Sequence, residues 1–100
     1  MALSIQQSAS YLGKDRWSWS VWVDGPPEEL ETIDHVVYIL DSTFHNPVRT
    51  VRDRSTKFRL DTSSWGVFTI HAQAVDREGH ETPLHHMLEL LYPDGTPTTA

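Results

Sequence analysis

Two aromatic residues, Phe44 and Trp65, stand where a ring can face a ligand. Each lies at the junction of a polar turn and an apolar, β-branched run, in Leu40-Asp41-Ser42-Thr43-Phe44 and in Ser63-Ser64-Trp65-Gly66-Val67-Phe68-Thr69-Ile70. A ring projecting from a loop at the end of a strand offers a flat π face, and two such loops make one aromatic cleft. Gly66 beside Trp65 carries no side chain, so a ligand or another backbone can approach closely there. The chemistry this points to is recognition of a ligand lying between Phe44 and Trp65, with no bond made or broken. The alternative for Phe44 is that it folds back into the core.

Other residue types offer little chemistry of their own. There is no Gly-rich phosphate loop, nucleophile elbow or HExxH. Ser42, Ser63 and Ser64 lie beside loops, and no spacing sets one of them against His35, His45 or His71. Catalysis is therefore not expected. Among the histidines, His80, His85 and His86 invite a metal, yet adjacent strand residues point to opposite faces, so His85 and His86 do not share one ion. No metal or other cofactor is expected, and His86, in an apolar row, reads as a satisfied core or interface imidazole.

The chain has no cysteine and a formal net charge of −6. Disulfides and thiolate nucleophiles are excluded, and the overall field repels phosphate backbones, so no nucleic-acid partner is expected. Arg49, Arg52, Arg54, Lys57 and Arg59 nevertheless crowd into one segment, either a solvated strand edge or a local anion site. The N-terminus shows no signal-peptide pattern and no stretch is apolar enough to span a membrane, which points to a cytoplasmic domain without a membrane partner.

These residues need a scaffold, and a chain of 100 residues has room for one core that buries about two-thirds of the unfolded surface. Arg16 to Val23 alternates with period two, placing Trp17, Trp19, Val21 and Val23 on a core face and Ser18, Ser20 and Trp22 on the other. Met1 to Gln7, with Leu3 and Ile5 alternating, begins the strand before it and Ser8 to Leu12 continues it, with a turn at Gly13-Lys14-Asp15. Asp24-Gly25-Pro26-Pro27 ends the second strand, and Glu28 to Thr32 reads as a connection, the alternative being one helical turn too short to be stable by itself. Ile33 to Leu40 reads as a strand covered on both faces. Val48 to Leu60 reads as two short strands, the second at Lys57-Phe58-Arg59-Leu60, and Asp61 to Ser64 as a loop. A strand is expected from Trp65-Gly66 through Val75, then a hairpin at Asp76-Arg77-Glu78-Gly79, then a strand from Pro83 to Leu91 with Leu84, His86, Leu88 and Leu90 on one face. The fold class is all-β, an immunoglobulin-like antiparallel β-sandwich of about seven to eight strands, with a closed barrel as the alternative. Residues 1–92 form the expected domain, and 93–100 a flexible tail or linker, as in a piece of a longer protein.

The order of four segments resembles the YEATS domain family: Trp19 to Pro26, Val36 to Pro47, Trp65-Gly66-Val67-Phe68, and Leu88-Glu89-Leu90. Tyr11-Leu12-Gly13 through Trp17-Ser18-Trp19 is more similar to the prokaryotic branch than to the chromatin-associated one. The resemblance implies a sandwich whose loops at one end bind acylated lysine in an open aromatic channel. Acylation removes the ammonium charge, so a planar neutral amide can leave water and stack on rings, where lysine itself would be desolvated as a cation. By that resemblance Phe44 and Trp65 match the channel walls, Thr43 a hydroxyl that bonds the amide, and the backbone at Trp65 and Gly66 the holder of the acyl carbonyl. Asp41 falls where the chromatin readers carry a histidine, and Asp15 near a further aromatic. An aspartate accepts hydrogen bonds only and favours a cation or a donor-rich ligand. With Ser64, these give the expected binding set Asp41, Thr43, Phe44, Ser64, Trp65 and Gly66.

Prokaryotic relatives are similar to sensor or adaptor modules joined to effectors in signalling and defence systems. The implied partners are a modified protein or peptide, or a small signalling ligand, with a fused or associated effector domain. A different class of function is a protein-interaction or adaptor domain that docks a partner, or itself, through exposed strands.

Overall fold

The computed structural model describes residues 3–42, 44, 46–64 and 66–97. Strand β1 (Ser4–Gly13) turns through Lys14 and Asp15, both left-handed at φ +53° and +57°, into β2 (Arg16–Asp24), the two-residue turn whose twist suits a hairpin. A single helical turn, α1 (Pro27–Leu30), follows where a plain connection was expected. Pro27 sits where a missing N–H costs nothing, and Glu28 and Glu29 lie in the first turn, where the helix dipole favours them.

The remaining strands are β3 (Ile33–Ile39), β4 (Val48–Val51), β5 (Leu60–Ser64), β6 (Thr69–Asp76) and β7 (Glu81–Met87). They form two antiparallel sheets, ordered β1-β2-β5 and β4-β3-β6-β7. This is the sandwich the alternation demanded. Trp17, Trp19, Val21 and Val23 are buried against Val36, Tyr38 and Leu40 of the facing sheet, with Ile70, Ala72 and Ala74 beside them.

Several expected boundaries move. Lys57 to Arg59 is not strand, and Leu60 is the first residue of β5. Arg54–Thr56 is a 3₁₀ turn capped by the Asp53 carboxylate, and Lys57 and Phe58 are left-handed at φ +58° and +60°, which drives Phe58 into the core. Residues 61–64, expected as a loop, are strand β5, because their hydroxyls and carboxylate bond partners on β2: Ser20 donates to Asp61 and Trp19 Nε1 to Ser64 Oγ. The strand expected from Gly66 begins only at Thr69. β7 ends at Met87, although Leu88 and Leu90 remain buried and the Leu88 N–H still bonds Phe68. The hairpin at 76–79 forms as expected, with Gly79 at φ +89°. Strand β3 is covered on its inner face only, since Ile39 is exposed on the other.

One side of the sandwich is latched. The Gln7 side-chain oxygen Oε1 on β1 accepts from the Glu89 N–H at 2.9 Å and from His86 Nε2 at 2.7 Å, while its side-chain Nε2 donates to the Glu89 carbonyl at 2.7 Å. Two acceptances by one oxygen place the His86 proton on Nε2. Burial pushes this imidazole's pKa down, and Glu89 partly restores it. The other side, between β4 and β5, stays open as a groove of about 560 Å³ lined by residues 46–51 and Leu60.

Past β7, Leu91 bridges Pro97 and the Tyr92 N–H bonds the Thr96 carbonyl, so residues 91–97 turn back on the domain. Tyr92 packs on Trp17 and Tyr11 with ring centroids 5.0 and 5.4 Å away. Among the described residues no helix is long and apolar enough to cross a membrane.

Candidate functional site

Register places both candidate loops at one end of the sandwich. Ile39, the last residue of β3, pairs with Val48 on one side and His71 on the other, while Ser64, the last of β5, pairs with Trp17 near the β1–β2 turn. The connections 40–47 and 65–68 therefore leave from the same rim. The first is cinched at its neck by Leu40 N–H to Pro47 O at 2.7 Å and tightened by Phe44 N–H to Asp41 O at 3.0 Å. Buried Leu40 anchors it to the core.

Phe44 is half-buried, and its ring lies edge-on to Phe68 at 5.2 Å and tilted against Trp19 at 6.3 Å. Phe68 in turn packs on Trp19 at 5.9 Å. Phe44 is thus seated on the core's edge, neither sunk into the interior nor fully exposed. Thr43 and Trp65 lie outside the described residues. The structure nonetheless brings Phe44 against Phe68, three positions beyond Trp65 on the second loop. Phe68 was not singled out from the sequence, although its place between the turn and the apolar run was the same signal that selected Trp65.

Ser64 is buried, and both capacities of its hydroxyl are in use, accepting from Trp19 Nε1 at 2.9 Å and donating to Gly66 O at 3.1 Å. Its place is thus structural, tying the root of the second loop to the core indole. Gly66 is half-buried and Asp41 exposed at the start of the first loop. Asp15 accepts from the Tyr92 hydroxyl at 2.8 Å, and its own N–H reaches the Tyr11 hydroxyl at 3.2 Å, so it is built into an aromatic group beside Trp17. Among the described residues, the exposed large apolar side chains, Leu12, Ile39, Val48, Met87 and Leu91, all lie at strand ends or loops of this same rim.

The basic segment does not assemble an anion site. Arg49 Nε bonds the Asn46 carbonyl, Arg52 pairs with Asp34, Arg54 with the Ile33 carbonyl, Lys57 with Asp24, and Arg59 with Asp61. Lys57 holds the Asp24 carboxyl below its usual range, and Ser20 then Arg59 do the same for Asp61. Among the described residues no three of His, Cys, Asp and Glu converge.

Two antiparallel sheets packed face to face, with Phe44 and Phe68 in contact at one rim, define the class, an antiparallel β-sandwich domain. Within it, the family model described as the prokaryotic YEATS domain matches residues 17–89, and the chain belongs to that family. Among curated protein sequences none matches. Solved structures with the same fold include the yeast AF-9 homolog protein Yaf9, at 23% identity and a TM-score of 0.74, covering 97% of this chain and 76% of that one. The Yaf9 YEATS domain bound to H3K27ac aligns at 23% identity and TM-score 0.66 over 97% and 74% of the two chains. The Yaf9 YEATS domain recognizing an H3K122suc peptide aligns at 23% and 0.64 over 98% and 83%.

Proposed function

We propose that this domain is a non-catalytic reader whose rim admits a flat, uncharged group, an acylated lysine or a chemically similar ligand, between Phe44 and Trp65. The observation that carries the reading is the position of Phe44, held half-exposed against Phe68 and Trp19 beside the second loop. A ring braced from behind presents its face without the entropy cost of ordering it on binding. Two Yaf9 structures of the same fold are complexes with H3K27ac and H3K122suc peptides, which supports a modified peptide as the partner. Thr43 is assigned the amide hydrogen bond, Gly66 the close backbone approach, and Asp41 a bias toward donor-rich or cationic flanking groups. Within this reading the domain works in the cytoplasm, as the sensing part of a signalling or defence protein whose effector is fused or associated.

The test is binding of one peptide sequence carrying acetyl-lysine, succinyl-lysine or unmodified lysine. Acetyl-peptide binding that falls at least tenfold in both Phe44→Ala and Trp65→Ala, with the variants folded, supports the reading. Equal affinity for modified and unmodified peptides refutes it.

A second reading, docking through an exposed strand, is favoured by the edge β4. The Leu40 to Pro47 bond fixes the ladder so that Arg49 and Val51 face β3, leaving the N–H and C=O groups of Val48 and Thr50 directed outward over the open groove. An added strand would pair there. Val48→Pro separates the readings, since it removes an outward donor while leaving the rim rings in place.

A further inference from the structure

On the outer face of the four-stranded sheet, His71 of β6 stands directly opposite His85 of β7. The pairs Phe68–Leu88 and Asp76–His80, in the same register, each carry a backbone hydrogen bond, which makes 70–86 and 72–84 the bonded pairs and 71–85 the non-bonded pair between them. In that class of pair the Cα atoms are only about 4.5 Å apart and the side chains are closest. Met87 is the next residue on the same face of β7, diagonal to His71 and within reach of a long side chain.

All three side chains are exposed, Met87 at 63%. The other described histidines are engaged: His35 with Asp34, His80 with Asp76, and His86 with Gln7. His71 and His85 are the two whose imidazoles make no side-chain bond among the described residues, and they are the two that face each other. The surrounding rows hold Ile39, Val48, Val37, Gln73 and Thr69, with no Asp, Glu, Lys or Arg.

We propose that His71, His85 and Met87 form a surface site for a soft monovalent transition-metal ion, Cu(I), held by two imidazoles and one thioether. A thioether selects copper(I) over the harder divalent ions, and imidazole suits it equally. The rows beside the pair supply no carboxylate to draw Mg²⁺ or Ca²⁺, which demand oxygen ligands, and Glu81, on the same face of β7, stands four residues from His85 at the far end of the strand. The expectation of no metal rested on His80, His85 and His86, whose adjacent members do diverge; the cross-strand register supplies a different pair.

The test is anaerobic titration of the 100-residue chain with Cu(I) against a chromophoric Cu(I) chelator, with Zn(II) titrated in parallel. One Cu(I) per chain is expected, with affinity lowered about tenfold or more in His71→Ala and in His85→Ala as each removes a donor. Met87→Leu weakens Cu(I) by a similar factor and leaves Zn(II) unchanged, and His80→Ala alters neither. Because these side chains are exposed, circular dichroism should show every variant folded. Retention of Cu(I) affinity in the His71→Ala/His85→Ala double variant overturns the site, and indifference of Cu(I) to Met87→Leu overturns its assignment to copper(I).

Discussion

Replacing Ser64 by alanine should destabilise this domain far more than the loss of one hydroxyl at the foot of a loop would suggest. The Trp19 side chain that donates to Ser64 Oγ belongs to a residue only 2% exposed, so its indole N–H has no water to turn to when the acceptor is gone. A stranded buried donor costs about 1–3 kcal/mol. For a domain of this size that is a fall in Tm of roughly 5–20 °C. Thermal and urea unfolding followed by tryptophan fluorescence and circular dichroism read it directly. The decisive control is the Trp19→Phe background, which has no N–H to strand. There the same Ser64→Ala change should cost less by about 1 kcal/mol or more, a coupling energy expected of residues in contact. A cost below about 0.5 kcal/mol in the parent, typical of an uninvolved surface position, or an equal cost in both backgrounds, refutes the reasoning.

The remaining predictions follow from the same structure. Burial pushes the Tyr38 phenol well above its usual range, and its hydroxyl donates to the Phe58 carbonyl at 2.5 Å. A raised folded value means this contribution is complete below about pH 10 and declines as pH climbs beyond it. Tyr38→Phe should cost about 1 kcal/mol at neutral pH and flatten that alkaline loss. The depressed carboxylates Asp24, Asp34, Asp61, Asp76 and Asp94 act in the opposite direction. Their stabilisation holds above about pH 4 and is lost as pH drops further, a loss that added salt should blunt, measured by acid unfolding at two ionic strengths. The lowered His86 imidazole likewise contributes stability above about pH 6.5 that fades as pH falls through its folded value, and His86→Gln should remove that step from the stability-pH curve. Within the reader reading, the exposed Asp41 carboxylate repels a succinyl-lysine carboxylate, so Asp41→Asn should raise the ratio of succinyl- to acetyl-peptide affinity about 1.5- to 5-fold for one peptide sequence, checked by calorimetry.

How much of this was legible in the sequence depended on whether a residue's neighbours were local. The alternation through Trp17, Trp19, Val21 and Val23 fixed a strand and its inner face because period two is a property of the strand alone, and those four residues are buried. Residues 61–64 carry no such signal. An aspartate, a threonine and two serines read as a loop until β2 supplies Ser20 and Trp19 as partners forty-odd positions away. Phe58 misled for a related reason. Its burial depends on two successive left-handed residues, Lys57 and Phe58, held by the 3₁₀ turn before them, and nothing in the residue types announces that pair.

The same distinction separates what was seen at the rim from what was not. That Phe44 sits at a strand end could be read locally, but its bracing by Phe68 and Trp19 could not, because it joins a loop within the four-stranded sheet to the loop that crosses between the two sheets and to a strand of the other sheet. A reader needs both properties, since a ring left loose on a loop would have to be ordered at the moment of binding, and a ring wholly in the core would have no face to offer. The sandwich meets the requirement by running a second aromatic, Phe68, under the first. Phe68→Ala should then weaken ligand binding without touching the ligand itself, and should do so more in a Phe44 protein than in a Phe44→Ala one. Additive losses in that cycle would mean that the two rings act separately and that the bracing argument fails.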